Sequence, residues 1–384
     1  MTEFKYLPVG EVCTTISDTY HGYAKMVTLI NTSDVLEGKV LNHVKVPNAN
    51  LKGQFKKTFQ QNDILYSEIR PQNKRFAYVD FPPTDYIAST KLMVIRADSD
   101  KVSPKYLYYF LKSNATIEEL QMLAETRSGT FPQITFTELA NLTIPVPPVA
   151  IQENIVKTLQ CIEDKINCNE SINDNLQQQA AALFANFYDQ AETEVGFTEM
   201  IQILGGGTPK TGESSYWNGD IPFFTPKDVG FPYTLTTEKT ITEEGLAHCN
   251  SRLYPINTVF VTARGTVGKV GLPGVPMAMN QSCYALVGKD THQLLVYFYT
   301  LKAVDRLKHK ASGAVFDAIT TRDFEAENIM KLSDDDTKAF LDVAEPIYQA
   351  VLNNSIENLR LSELRDSLLP KLMNGEIDVT DIRL

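Results

Sequence analysis

The sequence predicts an α+β protein: two globular domains of mixed α/β structure separated by two long antiparallel coiled-coil helices, the plan being written twice as a pseudo-twofold internal repeat. Three observations predict it. The 384 residues repeat at a period of about 184, since Ser128-Gly129 with Ile134-Thr135 and Glu138-Leu139 returns as Ser312-Gly313 with Ile319-Thr320 and Asp323-Phe324. Each copy opens with short β-branched, aromatic and aliphatic runs between Asn, Gly and Pro breakers. Each copy closes with a long stretch whose apolar residues recur every three or four positions, the period of one helical face. The expected segments are 1–148 and 193–335 for the domains, and 149–192 and 336–384 for the helical spacers and tail.

In chain order, Asp63 to Ile69 and Lys91 to Arg96 read as strands, and Pro104 to Lys112 as a helix. Pro145, Pro147 and Pro148 then punctuate the boundary of the first long helix. Its stripe is Ile151, Ile155, Leu159, Ile162 and Ile166, then Leu176, Ala180, Leu183 and Phe187, spanning roughly 37 residues, or about 55 Å. In the second copy Thr258 to Ala263 and Ser282 to Val287 read as strands and Gln293 to Lys310 as a helix. The second long helix carries Val343, Ile347, Val351, Ile356, Leu359, Leu361, Leu364, Leu368 and Leu372, and Pro346 is expected to kink it or mark its effective start. Both stripes are interrupted by asparagines, Asn169 and Asn173 in one and Asn353 and Asn354 in the other. Antiparallel pairing sets them opposite each other, where they would fix register; the alternative is that they face solvent on a drifting helix.

The net charge of −11 lacks the basic imprint of a nucleic-acid protein. Locally the balance reverses: Lys45, Lys52, Lys56, Lys57, Arg70, Lys74 and Arg75 cluster with only Asp63 and Glu68 among them, and Lys302, Arg306, Lys308 and Lys310 form a second knot. The five cysteines are odd in number and include no Cys-x-x-Cys pair, which argues against a disulfide framework and a zinc site. The five histidines show no metal-ligand spacing. No cofactor is expected. The start Met1-Thr2-Glu3-Phe4-Lys5-Tyr6 does not read as a secretory signal, and no run approaches the roughly 18 apolar residues of a membrane span, so a cytoplasmic protein without membrane contact is expected.

Gly205-Gly206-Gly207-Thr208-Pro209-Lys210, Tyr216 to Phe223 and Lys227-Asp228-Val229 are similar to the opening of a target-recognition domain in the family of DNA specificity subunits of type I restriction-modification enzymes. Ile144 to Pro148 with Gln152-Glu153 resembles its junction between domain and spacer, and Leu364 to Ile377 the end of its second spacer. The first copy departs by having Ile16-Ser17-Asp18-Thr19 near the glycine-rich opening, and the second junction has Met330-Lys331-Leu332-Ser333 in place of prolines. The resemblance implies a non-catalytic subunit that binds double-stranded DNA, two methyltransferase subunits and, in the complete enzyme, translocating endonuclease subunits. ATP, Mg2+ and S-adenosylmethionine would belong to those partners.

Base reading of that kind requires donors and acceptors on exposed loops. The candidates are Arg70, Lys74, Arg75 and Lys91 in the first domain, and Lys210, Lys227, Arg264, Lys269 and Gln281 in the second. Thr208 and Trp217 are expected to shape their loop. The partner surface is expected on the outer helix faces, at Gln177, Gln178, Gln179, Arg360 and Arg365. A rod of about 55 Å at 3.4 Å per base pair holds two readers at most some 16 base pairs apart, so an asymmetric bipartite target with an unread gap is expected.

Two other function classes compete with this reading. Gly207 to Ser214 has phosphate-loop spacing, but Glu213 stands where a lysine would meet the phosphates. Asp80-Phe81-Pro82-Pro83 only scrambles an amino-methyltransferase motif, and no Gly-x-Gly cofactor loop accompanies it. A coiled-coil scaffold without DNA binding is the other alternative, and the acidic balance favours it.

Overall fold

The computed structural model describes residues 4–49, 51–127, 131–230, 232–310 and 318–379. The chain forms two compact units, Met1–Asp164 with Leu361–Leu384, and Lys165–Arg360. The repeated pairs Ser128-Gly129 and Ser312-Gly313 lie outside the described residues.

Unit 1 contains β1 (Lys5–Pro8), β2 (Cys13–Ile16), β3 (Met26–Ile30), β4 (Val35–Leu36), β5 (Lys39–Val40), β6 (Lys45–Pro47), β7 (Phe55–Lys57), β8 (Ile64–Ser67), β9 (Phe76–Tyr78), β10 (Tyr86–Ser89), β11 (Leu92–Ala97) and β12 (Thr143–Val146). Helices α1 (Pro104–Leu111), α2 (Asn114–Arg127) and α3 (Phe136–Ala140) precede β12. One antiparallel sheet has the order β2-β11-β8-β9, and a second, β6-β3-β10-β7, contains a parallel β3–β10 pair. Strand β8 sends Ile64 and Tyr66 into the core shared with the helices and Leu65 into a smaller core, and β11 divides Met93 and Ile95 from Leu92 and Val94 in the same way. Both faces of the sheet are covered, so these strands read as continuous apolar runs rather than alternating ones.

Unit 2 repeats the plan. Its strands are β13 (Thr193–Gly196), β14 (Ile201–Gly205), β15 (Trp217–Phe224), β16 (Tyr233–Thr234), β17 (Lys239–Ile241), β18 (Val259–Thr262), β19 (Val270–Pro273), β20 (Ala278–Met279), β21 (Cys283–Gly288) and β22 (Asn328–Lys331). The order β14-β21-β18-β19 matches β2-β11-β8-β9, with β16 added at the edge, and β17-β15-β20 matches β6-β3-β10, parallel pair included. The antiparallel pair β13–β22 matches β1–β12. Helix α3 starts at Phe136 behind Thr135, whose N–H and hydroxyl both donate to Glu138; its counterpart (Thr321–Glu325) starts 185 residues later behind Thr320, bonded likewise to Asp323.

The remaining helices are α4 (Val149–Gln190), α5 (Phe197–Met200), α6 (Glu243–Ala247), α7 (Gln293–Lys310), α8 (Thr321–Glu325) and α9 (Asp334–Met373). Helix α4 begins directly after the proline cluster, where the Pro148 carbonyl accepts the N–H groups of Ile151 and Gln152 at 2.8 and 3.1 Å. Ser333 caps α9 by accepting the Asp336 N–H at 3.1 Å, and Asp334, Asp335 and Asp336 complement the positive end of the helix dipole. At its other end Gly375, at φ +73°, closes a Schellman turn: its N–H meets the Leu372 carbonyl and the Glu376 N–H meets Lys371.

Two expectations for α9 need correction. The helix starts at Asp334 and runs through Pro346, so Pro346 does not mark its start; Pro346 and Asp342, whose carbonyl the ring deprives of its donor, are both exposed residues. The buried stripe is Phe340, Ala344, Tyr348 and Val351, while Val343 is 48% exposed; Phe340 and Tyr348 turn inward to pack edge-on against Phe298 at 5.1 and 5.7 Å.

In unit 2 the two long helices run antiparallel, Asn169 meeting Asn358 and Asn173 meeting Asn354, each at 2.8 Å. Asn354 and Asn358 follow Asn169 and Asn173 by 185 residues, so this polar layer is the repeat meeting its own copy. Asn353, expected in the layer, is exposed and accepts from the Gln349 side chain at 3.0 Å; one residue of helix turns it about 100° away from the seam. At the edge of this layer Glu357 of α9 accepts from Asn169 at 2.8 Å and pairs with Lys165 of α4 at 3.3 Å. In unit 1 no amide layer is involved among the described residues: Glu163 of α4 accepts from Tyr109 at 2.8 Å and from Lys112, with Arg365 of α9 at 3.9 Å.

Candidate nucleic-acid interface

In unit 2 the loops at one end of the main sheet are stitched together. The Ser282 carbonyl accepts from the N–H groups of Ala263 and Arg264 at 2.8 and 3.3 Å, joining the loop after β18 to the loop before β21. Asn280 N–H reaches the Phe224 carbonyl at 2.9 Å, and Thr266 hydroxyl reaches that of Pro226 at 3.1 Å, adding the loop after β15. The glycine-rich loop after β14 completes the group, with Gly207 N–H on Met279 at 3.1 Å and Thr208 hydroxyl on the Gln281 side chain. Here the glycines are steric necessities: a Cβ on Gly206 would stand 2.1 Å from the Asn280 carbonyl oxygen, and one on Gly207 2.6 Å from the Asn250 nitrogen. Trp217 donates its indole N–H to Lys210 O at 3.2 Å and packs edge-on to Phe223, so it braces the loop.

All five sequence-predicted residues of unit 2 lie on these loops and are exposed: Lys210, Lys227, Arg264, Lys269 and Gln281. Lys227 makes one loose contact with Glu238 at 3.5 Å while 80% exposed. Among the described residues Lys210, Arg264 and Lys269 have no ion-pair partner. The arrangement offers hydrogen-bond donors and positive charge on an acidic chain, as phosphate and base-edge contacts require.

Unit 1 presents the equivalent sheet end. Glu68 N–H meets the Lys91 carbonyl at 3.1 Å, and Ile134 N–H meets the Glu68 carbonyl at 2.9 Å, as Ala263 meets Ser282 and Ile319 in unit 2. The bridge between Ile69 and Gln133 corresponds to that between Arg264 and Ala318. Arg70 is exposed; Lys91 is too, but pairs with Glu68 at 3.3 Å and Gln133 at 3.2 Å. Arg70 and Lys74 flank a short turn with φ of +44° and +52°, a left-handed conformation that costs a side-chain-bearing residue roughly 1 kcal/mol or more. Lys74 lies 3.8 Å from Glu37, whereas Arg75 directs its guanidinium inward to the carbonyls of Ser33 and Val35 at 3.1 and 3.3 Å. Arg75 is therefore placed to hold the β4 turn.

Two parts of this surface were not among the candidate contacts, although Lys57 belongs to the basic cluster of the sequence. Lys57 donates to the Leu92 carbonyl at 2.8 Å, and burial pulls its ammonium below the usual range, with Glu68 pulling the other way. The loop from Ser17 to Lys25 occupies the place of the glycine-rich loop and is bridged to β7 through Thr19 and Lys57. The available signal was residues 38–62, which hold five lysines and no acidic residue.

Of the residues expected to meet partner proteins, Gln178, Gln179 and Arg360 are exposed. Gln177 and Arg365 are only half-exposed, Gln177 being bonded back to Asn173 O at 3.2 Å and Arg365 to Asp366 at 2.8 Å.

The family model for the type I restriction modification DNA specificity domain matches twice, at residues 8–178 and 193–331. The chain is 30% identical to the type I restriction enzyme HindI specificity subunit of Haemophilus influenzae, over 98% of this chain and 100% of that protein. It is 29% identical to the EcoR124I/EcoR124II specificity subunit of Escherichia coli, over 62% of this chain and 59% of that one. The crystal structure of a type I restriction-modification S subunit from M. genitalium shares the fold, with a TM-score of 0.54 at 13% identity, covering 97% of this chain and 96% of that one. A repeat found in the sequence, found again in the order of the strands, and matched copy by copy by one family places this chain among the type I restriction-modification DNA specificity subunits.

Proposed function

We propose that each unit reads its own short stretch of duplex DNA, so that the chain as a whole selects an asymmetric bipartite target with an unread gap. The observation that carries this reading is one stitched loop cluster occurring twice at the same sheet end with unlike side chains, Arg264, Lys210 and Lys269 in one and Arg70 and Lys91 in the other. Arginine or lysine pairs with guanine and glutamine with adenine in the major groove, while the other cations hold phosphates. Unlike side chains select unlike half-targets, so a palindrome is not expected.

In this reading the chain performs no chemistry. It brings two methyltransferase subunits, and in the complete enzyme endonuclease/translocase subunits, to the target, with Gln178, Gln179 and Arg360 among the exposed groups on the long helices. The methyltransferases take the target base out of the stack. The subunit works in the cytoplasm alongside the genome; among the described residues no helix is long and apolar enough to cross a membrane.

The net charge of −11 favours the alternative of a scaffold that never touches DNA. Fluorescence anisotropy of the assembled complex decides, using duplexes carrying the motif found methylated in host DNA. The proposed function requires tight, salt-dependent binding that weakens by about 1–3 kcal/mol per altered base pair in either half and tolerates changes within the gap. Equal binding to unrelated duplex, or none, leaves the scaffold.

A further inference from the structure

The loop between β2 and β3 carries Tyr23, the most exposed large apolar side chain among the described residues, at 100%. Its neighbours are tied down. The Tyr20 hydroxyl donates to Asp85 at 2.8 Å and its N–H to the Lys56 carbonyl at 2.8 Å. On the other side Asn48 donates to the carbonyls of Ala24 at 3.0 Å and Lys25 at 2.9 Å. The ring is thus held out in water by a braced segment, although burying an aromatic side chain is worth roughly 2 kcal/mol. The topologically equivalent loop of unit 2 stows its aromatics, Tyr216 stacking on His248 at 5.0 Å and Trp217 meeting Phe223 at 5.5 Å.

The surroundings indicate what the ring meets. His21, Lys25, Lys52 and Lys56 are exposed on the same loop and the segment it is bonded to. Thr19 bridges to Lys57, whose ammonium reaches the carbonyl of Leu92, next to Lys91 of the candidate interface. An exposed aromatic set among lysines suits a polyanion that offers flat apolar faces between its charges, which describes nucleic acid.

We propose that Tyr23 inserts its ring into the base stack of the half-target read by unit 1, with Lys25 and its neighbours holding the flanking phosphates. The inference rests on the DNA-reading function proposed above and adds to it a stacking residue.

The test uses the full-length chain assembled with its methyltransferase subunits, the methylated duplex, and a series of duplexes with 2-aminopurine at successive positions of that half-target. Tyr23→Ala should weaken binding roughly 5- to 100-fold without changing its salt dependence, because no charge is removed. Tyr23→Phe keeps the ring and should bind as wild type. Lys25→Ala should lower the slope of log affinity against log salt by about one. The 2-aminopurine signal should change at one step with wild type and not with Tyr23→Ala. Wild-type affinity in Tyr23→Ala, a flat 2-aminopurine series with wild type, or a loss confined to methyltransferase assembly without DNA would each overturn the insertion. If wild type itself shows no preference for the gapped duplex, the DNA-reading function fails instead.

Discussion

In unit 1 the lysine just before β11, Lys91, is tied to Glu68; in unit 2 the corresponding backbone positions carry Ser282 and Ala263, and the neighbouring Arg264 has no acidic partner among the described residues. The backbone bonds are the same in both and the charge is not. Under the proposed function, such a framework would change what it recognises by exchanging side chains at loop positions that the sheet already holds, so that a duplicated domain would face two different sequences. It also shows how an acidic chain can present cations where they count: net charge averages over the molecule, whereas a phosphate senses charge within about a Debye length, roughly 8 Å at physiological salt.

The long helices extend the contrast. Where α4 and α9 contribute to unit 1 they meet through the half-buried Glu163, with Lys112 beside it only 10% exposed; in unit 2 they meet through a buried amide layer, Asn169 being 1% exposed, with the more exposed pair Lys165–Glu357 at its edge. Substituting each probes the difference. Glu163→Gln strands the buried Lys112 ammonium and should cost about 3 kcal/mol by denaturant titration. Burial already holds Lys112 below its ordinary range, so the folded form binds that proton less tightly than the unfolded chain. Without Glu163 the depression deepens, and the variant's deficit should shrink as pH rises above the lowered Lys112 value. Asn169→Leu in unit 2 should cost less, about 1–3 kcal/mol, with most of it recovered when Asn358→Leu removes the amide left unpaired. Equal costs, or a double variant worse than either single, would show that the two halves are not held by different chemistry.

A smaller effect sharpens the comparison of the loops. Glu68→Ala copies Ala263 into unit 1 and removes the acidic partner of Lys91, so the salt dependence of DNA binding should steepen by about one counterion with little change in folding stability. An unchanged slope would mean that Lys91 does not approach phosphate.

Much of the fold was legible because burial on both faces writes itself as continuous apolar runs. Ile64 to Ser67, Leu92 to Ala97, Val259 to Thr262 and Cys283 to Gly288 lie within the stretches read as strands or a residue beyond them, and α7 has the expected bounds. The short strands between Met26 and Lys57 were not legible, since they are two to five residues long and half-exposed, too brief to establish a period. The inner face of α9 was misphased because aliphatic positions were counted while Phe340 and Tyr348 supply the contact. At the candidate interface charge type was legible and geometry was not. Nothing in the sequence tells that Arg75 turns inward to two carbonyls while Arg70, five positions earlier, stays in solvent. The loop bearing Tyr23 was legible only at its start, Ile16 to Thr19, because the strands on either side are themselves too short to read.

The central claim is that the units read independently, each its own half-target. Its most direct measurement is methylation-sensitive sequencing of DNA from cells carrying the complete system with wild-type, Arg70→Ala or Arg264→Ala subunit. The account predicts a two-part asymmetric motif whose one half loses definition with Arg70→Ala and whose other half does so with Arg264→Ala, the gap unchanged in both. A contiguous or palindromic motif, or one substitution blurring both halves together, would contradict it.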